Sequence, residues 1–270
     1  MKKTVLVVLL SLIAAFAFAN GSKESSETSD SKTIIVGATA VPHAEMLNLV
    51  VDDMAALGYN LVVKEFTDYV TPNTATEDGS LDANFFQHIP YLETFNQEHG
   101  THLVNAGGIH IEPMALYSKK YSKLEDIPAG ATIAIPNDTT NEGRALLLLE
   151  SAGLIEVDDA AGISATKLDI KSNPNNYEII EIEAASLPRT IEDVDAAVIN
   201  GNYAIPAGFS AKNDGLVVEG ADSPYVNIIA VKEGNENKEG IKALVSCLQS
   251  QEVKDWVNEN YPNGEVVVVF

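Results

Sequence analysis

Apolar and polar positions follow each other along the chain in a pattern that predicts strands and helices in turn. Short apolar runs at Ile34–Gly37 and Leu61–Val63 have the length and β-branched content of buried strands. Between them, Pro42–Leu57 carries apolar residues at helical spacing and ends before Gly58, a residue typical of helix ends. A strand, a helix and a second strand in this order predict an α/β unit with parallel strands.

The same alternation continues to the end of the chain. Further strands are predicted at Ala83–Phe86, His102–Val104, His110–Ser118, Thr132–Ile135, Tyr177–Ile182, Ala196–Ile199 and Val226–Val231. Further helices are predicted at Tyr91–His99, Asn141–Ala152, Leu187–Ile191 and Lys238–Asn260. The only cysteine, Cys247, lies on the apolar face of the last helix, which predicts a buried structural thiol.

The N-terminal segment has the pattern of a secretory signal peptide. Two lysines precede the apolar run Val5–Phe18, and Ala17-Phe18-Ala19 is a small-x-small cleavage site, so residues 1–19 are assigned to the signal. A membrane anchor, the alternative, needs roughly 20 apolar residues, and this run is shorter. Residues 20–32 are rich in serine and charge, which predicts a disordered tether.

Charge and missing motifs narrow the class of function. A net charge of −22 argues against nucleic acid or an anionic membrane as partner, because each would be repelled. An anionic ligand therefore needs a locally positive site. No nucleophile elbow, phosphate-binding loop or metalloprotease motif is present, and the five histidines lack zinc-site spacing. We predict no catalytic centre, metal or cofactor, and interpret His110 as a strand residue.

The stretch "AIPNDTTNEGRALLLLE", residues 134–150, combines a helix start with polar residues before buried leucines. Thr139 and Glu142 have the spacing of a capping box, which places the helix start near Thr140. Asn141 and Arg144 project from one face of the first turn, where the helix dipole and free N–H groups favour an anion. These features predict a carboxylate clamp. The alternative is a surface arginine that packs or pairs with Glu142.

Aromatic residues cluster around a second strand end, in "NFFQHIPYL" at residues 84–92. Phe86 and His88 point the same way on a strand, Tyr91 follows, and Tyr69 comes after the preceding strand. An aromatic wall of this kind suits an apolar or sulfur-bearing side chain. For Phe85, by contrast, we predict an ordinary place in the core.

Amides mark the third candidate cluster. Asn200 and Asn202 follow an apolar strand, and Asn227 interrupts another, where asparagine is disfavoured unless its amide has a partner. These amides could hold the ammonium and carboxylate of a ligand, although Asn200-Gly201-Asn202 also fits a tight turn. "LDANFFQH" and "VDAAVING" resemble each other, which suggests two similar lobes that face one cleft.

The motifs "AIPNDTTNEGRALLLLE", "DANFFQHIPYL" and "DAAVINGNYA" closely resemble those of the NlpA lipoprotein family, the methionine-binding proteins of bacterial ABC importers. The resemblance runs from about Thr33 to Phe270. It implies an α/β, two-lobed, type II periplasmic-binding-protein fold with mostly parallel sheets and two crossings between lobes. We place the crossings near Tyr117–Leu124 and Ala221–Val226, which gives lobe I residues 33–118 and 226–270 and lobe II residues 119–225.

The resemblance also implies a function. A monomer of this family captures L-methionine in the interlobe cleft and delivers it to a membrane permease driven by an ATPase. Carried over to this chain, Arg144 pairs with the ligand carboxylate with help from Asn141, and Asn200 and Asn227 fix its polar groups, with Asn202 as the alternative to Asn200. The thioether is enclosed by Tyr69, Phe86, His88 and Tyr91.

The same fold also allows other ligands and other classes of function. The ligand could instead be another apolar amino acid or a methionine-containing dipeptide, and an enzyme or a surface adhesin on the same fold is a rival class. Family members carry a lipid-anchored cysteine at the signal cleavage site, whereas this chain has Asn20-Gly21 there. We therefore predict a periplasmic or cell-envelope protein and leave lipid anchoring in doubt.

Overall fold

A computed structural model of the protein describes residues 32–220 and 223–270. The predicted signal peptide and the predicted tether up to residue 31 lie outside these ranges. The strands are β1 Lys32–Thr39, β2 Tyr59–Phe66, β3 Ala83–His88, β4 Leu103–Ile111, β5 Ala115–Tyr117, β6 Thr132–Pro136, β7 Glu156–Val157, β8 Ile170–Ser172, β9 Glu178–Ile182, β10 Ala196–Ile199, β11 Val217–Val218, β12 Asn227–Lys232 and β13 Val267–Val268. The α-helices are α1 Glu45–Leu49, α2 Val51–Ala56, α3 Thr71–Glu77, α4 Ile89–His99, α5 Thr139–Ser151, α6 Leu187–Thr190, α7 Gly201–Ala204, α8 Ala211–Asp214, α9 Glu239–Leu248 and α10 Gln251–Asn260.

The first sheet has six strands in the order β13-β4-β12-β3-β1-β2. β1 runs parallel to β2 and β3, as the strand–helix–strand pattern predicts, and β12 is antiparallel to β3 and β4. Its core includes Met46 and Met54 from the first two helices, Leu244 from α9 and the strand residue Phe85, which is fully buried as predicted. Apolar faces of helices against a sheet are the usual source of stability in this architecture.

The second sheet has five strands in the order β11-β5-β10-β6-β9. β6 runs parallel to β9 and β10, whereas β5 is antiparallel to β10 and β11. The leucines of α5 pack on this sheet, and Leu146 and Leu149 are fully buried there. The apolar half of the stretch at residues 134–150 therefore anchors α5 in the second lobe. The two-lobed α/β fold is confirmed.

The predicted strand His110–Ser118 is wrong, because the chain changes sheets within it. β4 ends at Ile111 in the first sheet, and β5 begins at Ala115 in the second. Pro113 stands between them, and a proline cannot donate the hydrogen bond that would continue a strand. We therefore propose that the first crossing lies at residues 112–114, whereas the sequence placed it near Tyr117–Leu124. The chain returns between Val218 and Asn227, so we propose lobe I as 32–111 and 227–270 and lobe II as 115–218.

Two predicted helices are interrupted. The segment predicted at Pro42–Leu57 begins with a π-type turn at Ala40–Ala44 and continues as α1 and α2. The segment predicted at Lys238–Asn260 breaks at residues 249–250, where the Ser250 side chain accepts the Val253 N–H at 3.3 Å and starts α10. Cys247 is buried in α9, as predicted. Within the described ranges, no helix has the length and apolar character needed to cross a membrane.

Candidate functional site

A cavity lies between elements of the two sheets, and its space of about 330 Å³ includes the part that is open to solvent. Strand ends and helix starts supply its walls, because the carboxyl ends of β3 and β10 both open into it. Every residue predicted to bind ligand lines it, namely Tyr69, Phe86, His88, Tyr91, Asn141, Arg144, Asn200 and Asn227. Gln87, Glu112, Gly201 and Asn202 complete the lining. The structure thus brings the three predicted clusters together.

One wall of the cavity is aromatic. The Tyr69 ring stacks on Phe86 with centroids 5.6 Å apart and meets Tyr91 edge-on at 5.7 Å. The Tyr91 hydroxyl donates to the Tyr69 carbonyl at 3.0 Å, which fixes the two rings relative to each other. Burial raises the pKa of both tyrosines, so their hydroxyls stay protonated and uncharged. This wall can take an apolar group and offers no charge of its own.

The N-terminus of α5 is closed by a side chain of the protein. Asp138, and not Thr139, is the N-cap: its Oδ1 accepts the Asn141 N–H at 3.1 Å. The predicted capping box is therefore wrong, and the Glu142 carboxylate instead accepts the Lys167 N–H at 2.8 Å. Because Asp138 already accepts the Asn141 N–H, that N–H is not available for a ligand carboxylate.

A chain of hydrogen bonds sets the orientation of two cavity amides. Asp138 Oδ1 accepts a backbone N–H, so the Asn141 atom 2.7 Å from it is the donor Nδ2. Asn141 Oδ1 must then accept, and it takes Asn200 Nδ2 at 2.8 Å. Asn200 Oδ1 is left as a buried acceptor without a protein partner among the described residues. A buried amide oxygen in this state needs a donor from a ligand or water.

Asn202 offers a free hydrogen-bond donor, whereas Asn200 offers a free acceptor. The Tyr69 hydroxyl donates to Asn202 Oδ1 at 2.6 Å, across the cleft from one lobe to the other. Asn202 Nδ2 is buried and has no acceptor among the residues described. The two amides of the Asn200-Gly201-Asn202 turn therefore present one free acceptor and one free donor. A ligand with both an ammonium and a carboxylate can satisfy them together.

Arg144 is held on three sides. Its Nε donates to Glu219 Oε1 at 2.8 Å, and its Nη2 donates to Glu219 Oε2 and, at 2.9 Å, to the Glu112 carbonyl. The Tyr225 ring lies 4.2 Å from the guanidinium carbon, a cation–π distance. The guanidinium of the predicted carboxylate clamp is thus engaged by Glu219, not by Glu142. Within the described residues Nη1 has no protein acceptor, and it is the nitrogen that a ligand can use.

Glu112 brings a carboxylate to the cavity from the first crossing. Its Oε1 lies 2.8 Å from His110 Nε2 and 3.4 Å from His43 Nε2. His43 Nε2 also lies 3.1 Å from Asn227 Oδ1. Burial lowers the pKa of His43 to about 4 and that of His110 to about 3, and it raises the pKa of Glu112. His110 was predicted to be a strand residue without further role, and the structure adds that it supports Glu112.

The same three side chains have the donor types of a metal site. His43, His110 and Glu112 bring their ligand atoms within 4.8 Å of one another, and all three are buried. The Nε2–H groups of the two imidazoles donate to one carboxylate and one amide oxygen, and His110 Nδ1 is buried without a partner among the described residues. A metal ion would have to replace these hydrogen bonds. We therefore interpret the cluster as a network that positions Glu112 and Asn227 at the cavity.

His88 joins the lobes through Asn141. Its Nδ1 accepts the Tyr91 N–H at 3.2 Å and caps α4, so Nε2 carries the proton and lies 3.3 Å from Asn141 Oδ1. Burial, assisted by the charge of Arg144, lowers the pKa of His88 to about 3. The ring is neutral and its two nitrogens are occupied. His88 therefore orients other side chains more than it forms an open wall for the ligand.

The low pKa of His88 predicts a loss of stability in acid. Between about pH 6.5 and pH 3 the unfolded chain binds a proton at this ring that the folded protein does not, so stability falls as the pH decreases. His88→Asn keeps an acceptor for the Tyr91 N–H but cannot be protonated. From pH 6.5 to pH 5 we expect the variant to lose about 2 kcal/mol less unfolding free energy than the parent. Urea unfolding at both pH values measures this, and equal losses would contradict it.

Sequence reasoning missed the carboxylates around Arg144. Glu112 had a signal, since an acidic residue directly after the apolar alternation of β4 is unusual in a buried segment. Glu219 and Tyr225 had none, because 75 residues or more separate them from Arg144 in the chain. Gln87 lies in a buried amide network with Asn73 and Asn84, which explains its place beside the cavity.

Comparison with known proteins shows to which family this architecture belongs. The family model described as NlpA lipoprotein matches residues 34–270. The chain belongs to the NlpA lipoprotein family. Among family members, the methionine-binding lipoprotein MetQ of Bacillus subtilis is 43% identical over 274 residues, covering 100% of this chain and 99% of that protein. The membrane lipoprotein TpN32 of Treponema pallidum is 46% identical over 87% of this chain and 88% of its own length.

Solved structures of the family agree with the fold. A nutrient-binding protein of Burkholderia cenocepacia, solved bound to methionine, is 45% identical and superposes with a TM-score of 0.84. The superposition covers 88% of this chain and 100% of that one. The two-lobed fold of this chain is therefore shared with that methionine-bound protein.

Proposed function

We propose that this NlpA-family protein is the substrate-binding protein of an ABC importer and that it captures methionine in the cavity between its lobes. One observation carries the proposal. The cavity joins a buried free acceptor, a buried free donor, an arginine and a carboxylate to an aromatic wall. That set complements the ammonium, the carboxylate and the apolar side chain of a free amino acid.

The carboxylate of the ligand is assigned to the donors. Arg144 supplies Nη1, and Asn202 supplies its unpartnered Nδ2. Asn227 is a further donor, because its Oδ1 is engaged by His43 and its Nδ2 is left for the cavity. Charge-assisted hydrogen bonds of this kind are the strong ones in a buried site.

The ammonium of the ligand is assigned to the acceptors. Asn200 Oδ1 has no protein donor among the described residues, and the Glu112 carboxylate lines the same cavity. Burial raises the pKa of Glu112, and a bound ammonium would offset this by favouring the ionised form. Both Asn200 and Asn202 then have roles, one as acceptor and one as donor, so they are not alternatives.

The side chain of the ligand is assigned to the aromatic wall of Tyr69, Phe86 and Tyr91. A thioether is polarisable and gains from contact with aromatic rings, by about 0.3–1.5 kcal/mol. The names of the relatives as methionine-binding proteins support this choice over other apolar side chains.

Contacts between the lobes supply the closing mechanism. Besides the Tyr69–Asn202 and His88–Asn141 bonds, the Tyr203 hydroxyl donates to the Thr67 carbonyl at 3.0 Å and the Thr139 hydroxyl donates to Glu98 at 2.8 Å. A ligand held by residues of both lobes favours the closed state by the contacts that it makes only there. No catalytic step is needed, and we assign none.

The partners and the location follow from the same proposal. A closed, loaded binding protein is the form that a membrane permease and its ATPase would accept, and we propose these as its partners. The relatives are named as lipoproteins, one of them as a membrane lipoprotein, which supports a cell-envelope location. The predicted signal peptide is consistent with that location.

Mass spectrometry and calorimetry test the ligand. The chain without residues 1–19 is purified in native buffer, and its bound small molecules are identified by mass spectrometry. The protein is then unfolded and refolded to remove the ligand and is titrated with methionine in a calorimeter. We expect methionine to co-purify, to bind with 1:1 stoichiometry and to raise the unfolding temperature. Leucine, glutamine and Gly-Met are the competitors. Preferential binding of Gly-Met would assign a dipeptide, and binding of none of these would overturn the proposal.

A further inference from the structure

Each crossing between the sheets brings a glutamate to Arg144. The first crossing supplies Glu112, whose carbonyl accepts Arg144 Nη2 at 2.9 Å. The second supplies Glu219, whose two carboxylate oxygens face Nε and Nη2 in a side-on pair. Glu219 does not line the cavity, unlike Glu112. The arginine therefore stands between a protein carboxylate behind it and the cavity in front of it.

Glu219 also ties this arrangement to the other crossing. Its Oε2 lies 3.3 Å from the Met114 N–H, which donates to it. With only 16% of its side chain exposed, against 5% for Arg144, the pair is largely removed from water. Charges in such a place act on each other and on a nearby ligand more strongly than exposed charges do. Glu219 can therefore act on a ligand through its charge as well as through the position that it gives to Arg144.

The charges around the cavity nearly cancel. The positive charge of Arg144 is balanced by Glu219, and Glu112 adds a carboxylate on the cavity side. His88 and His43 are neutral, because burial lowers the pKa of each far below 7. Asp138, the N-cap of α5, can add only a negative charge. The groups that face a ligand therefore sum to zero or less, so a ligand with a net negative charge gains little from the site as a whole.

We propose that Glu219 determines the charge selectivity of the cavity. By neutralising Arg144 from behind, it makes the site accept zwitterionic α-amino acids and reject carboxylates that lack an ammonium. The inference rests on the proposed function, since it assumes that an amino acid occupies the cavity. A zwitterion brings its own positive charge to Glu112 and Asn200, whereas a simple carboxylate leaves these acceptors unpaired.

The test compares two ligands that differ only in the ammonium: L-methionine and 4-(methylthio)butanoate. Competition calorimetry gives the ratio of their affinities for the parent protein and for Glu219→Gln. We expect the parent to prefer methionine strongly and the ratio to fall about tenfold in the variant, because the anion is relieved of more repulsion than the zwitterion. Glu219→Asp keeps the charge, so we expect it to keep the ratio even where both affinities fall. Glu192→Gln, an exposed position in the same lobe, is the control.

Other outcomes are decisive as well. Equal weakening of both ligands in Glu219→Gln, with the ratio unchanged, would show that Glu219 only supports Arg144 and would overturn the inference. A parent protein that binds neither ligand would overturn the proposed function instead, so the two failures are distinguishable. If the glutamine variant does not fold, as judged by circular dichroism, Glu219→Ala removes the same charge, and its ratio decides the question.

Discussion

Replacing Arg144 with alanine is expected to weaken methionine binding by about 2–5 kcal/mol, which corresponds to about 30-fold or more in affinity. The ligand carboxylate would lose its charged partner, and Glu219 would be left beside the cavity without the guanidinium that it holds. Uncompensated buried charge is the costly part of such a change. Calorimetric titration of the ligand-free variant with methionine measures the loss.

Arg189→Ala is the matched control for this prediction. It is the only other arginine in the chain, it belongs to the same lobe, and it is exposed. We expect its affinity for methionine to equal that of the parent. If Arg144→Ala binds methionine within threefold of the parent, the assignment of Arg144 as the carboxylate anchor is wrong.

Leu146→Ala, one half-turn further along the same helix, is expected to act on stability and not on binding. Leu146 is fully buried in the core of the second lobe. Removing most of a buried leucine side chain costs about 2–5 kcal/mol of unfolding free energy, from lost burial and the cavity left behind. Chemical denaturation measures this, while methionine affinity at a temperature where the variant is folded should stay within about twofold of the parent.

The same substitution at an exposed position separates burial from residue type. Leu168 is 89% exposed, so Leu168→Ala should change the unfolding free energy by about 0.5 kcal/mol or less. A Leu146→Ala variant as stable as Leu168→Ala would refute the assignment of the α5 leucines to the core. A variant that is folded but has lost methionine binding would show that packing and binding are not divided along this helix.

The stretch at residues 134–150 shows how far sequence reasoning reached. Periodicity was enough to predict α5, to bury its leucines and to place Asn141 and Arg144 together at its start. Both residues do line the cavity. The details of that start were wrong, because Asp138 and Thr139 are both good N-caps and the structure uses Asp138. Local propensity rarely decides between adjacent residues of similar chemistry.

The crossing between lobes shows a different limit. His110–Ser118 reads as one strand because strand-forming residues lie on both sides of Pro113, although the proline itself is a local sign of a break. Only the pairing partners reveal that β4 and β5 belong to different sheets. Pairing is a long-range property, and a one-dimensional pattern carries no information about which neighbour a strand finds.

By itself the sequence determined the alternation of strands and helices, the buried faces, and the residues that carry the resemblance to the NlpA family. These depend on local periodicity and on motifs of adjacent residues, which a single chain displays directly. The tertiary structure alone decided the partners of the charged groups. Arg144 meets Glu219, and Glu112 meets His43 and His110, because the two crossings fold back against one cavity. The balance of charges and hydrogen bonds depends on distances in space, and distances along the chain do not predict them.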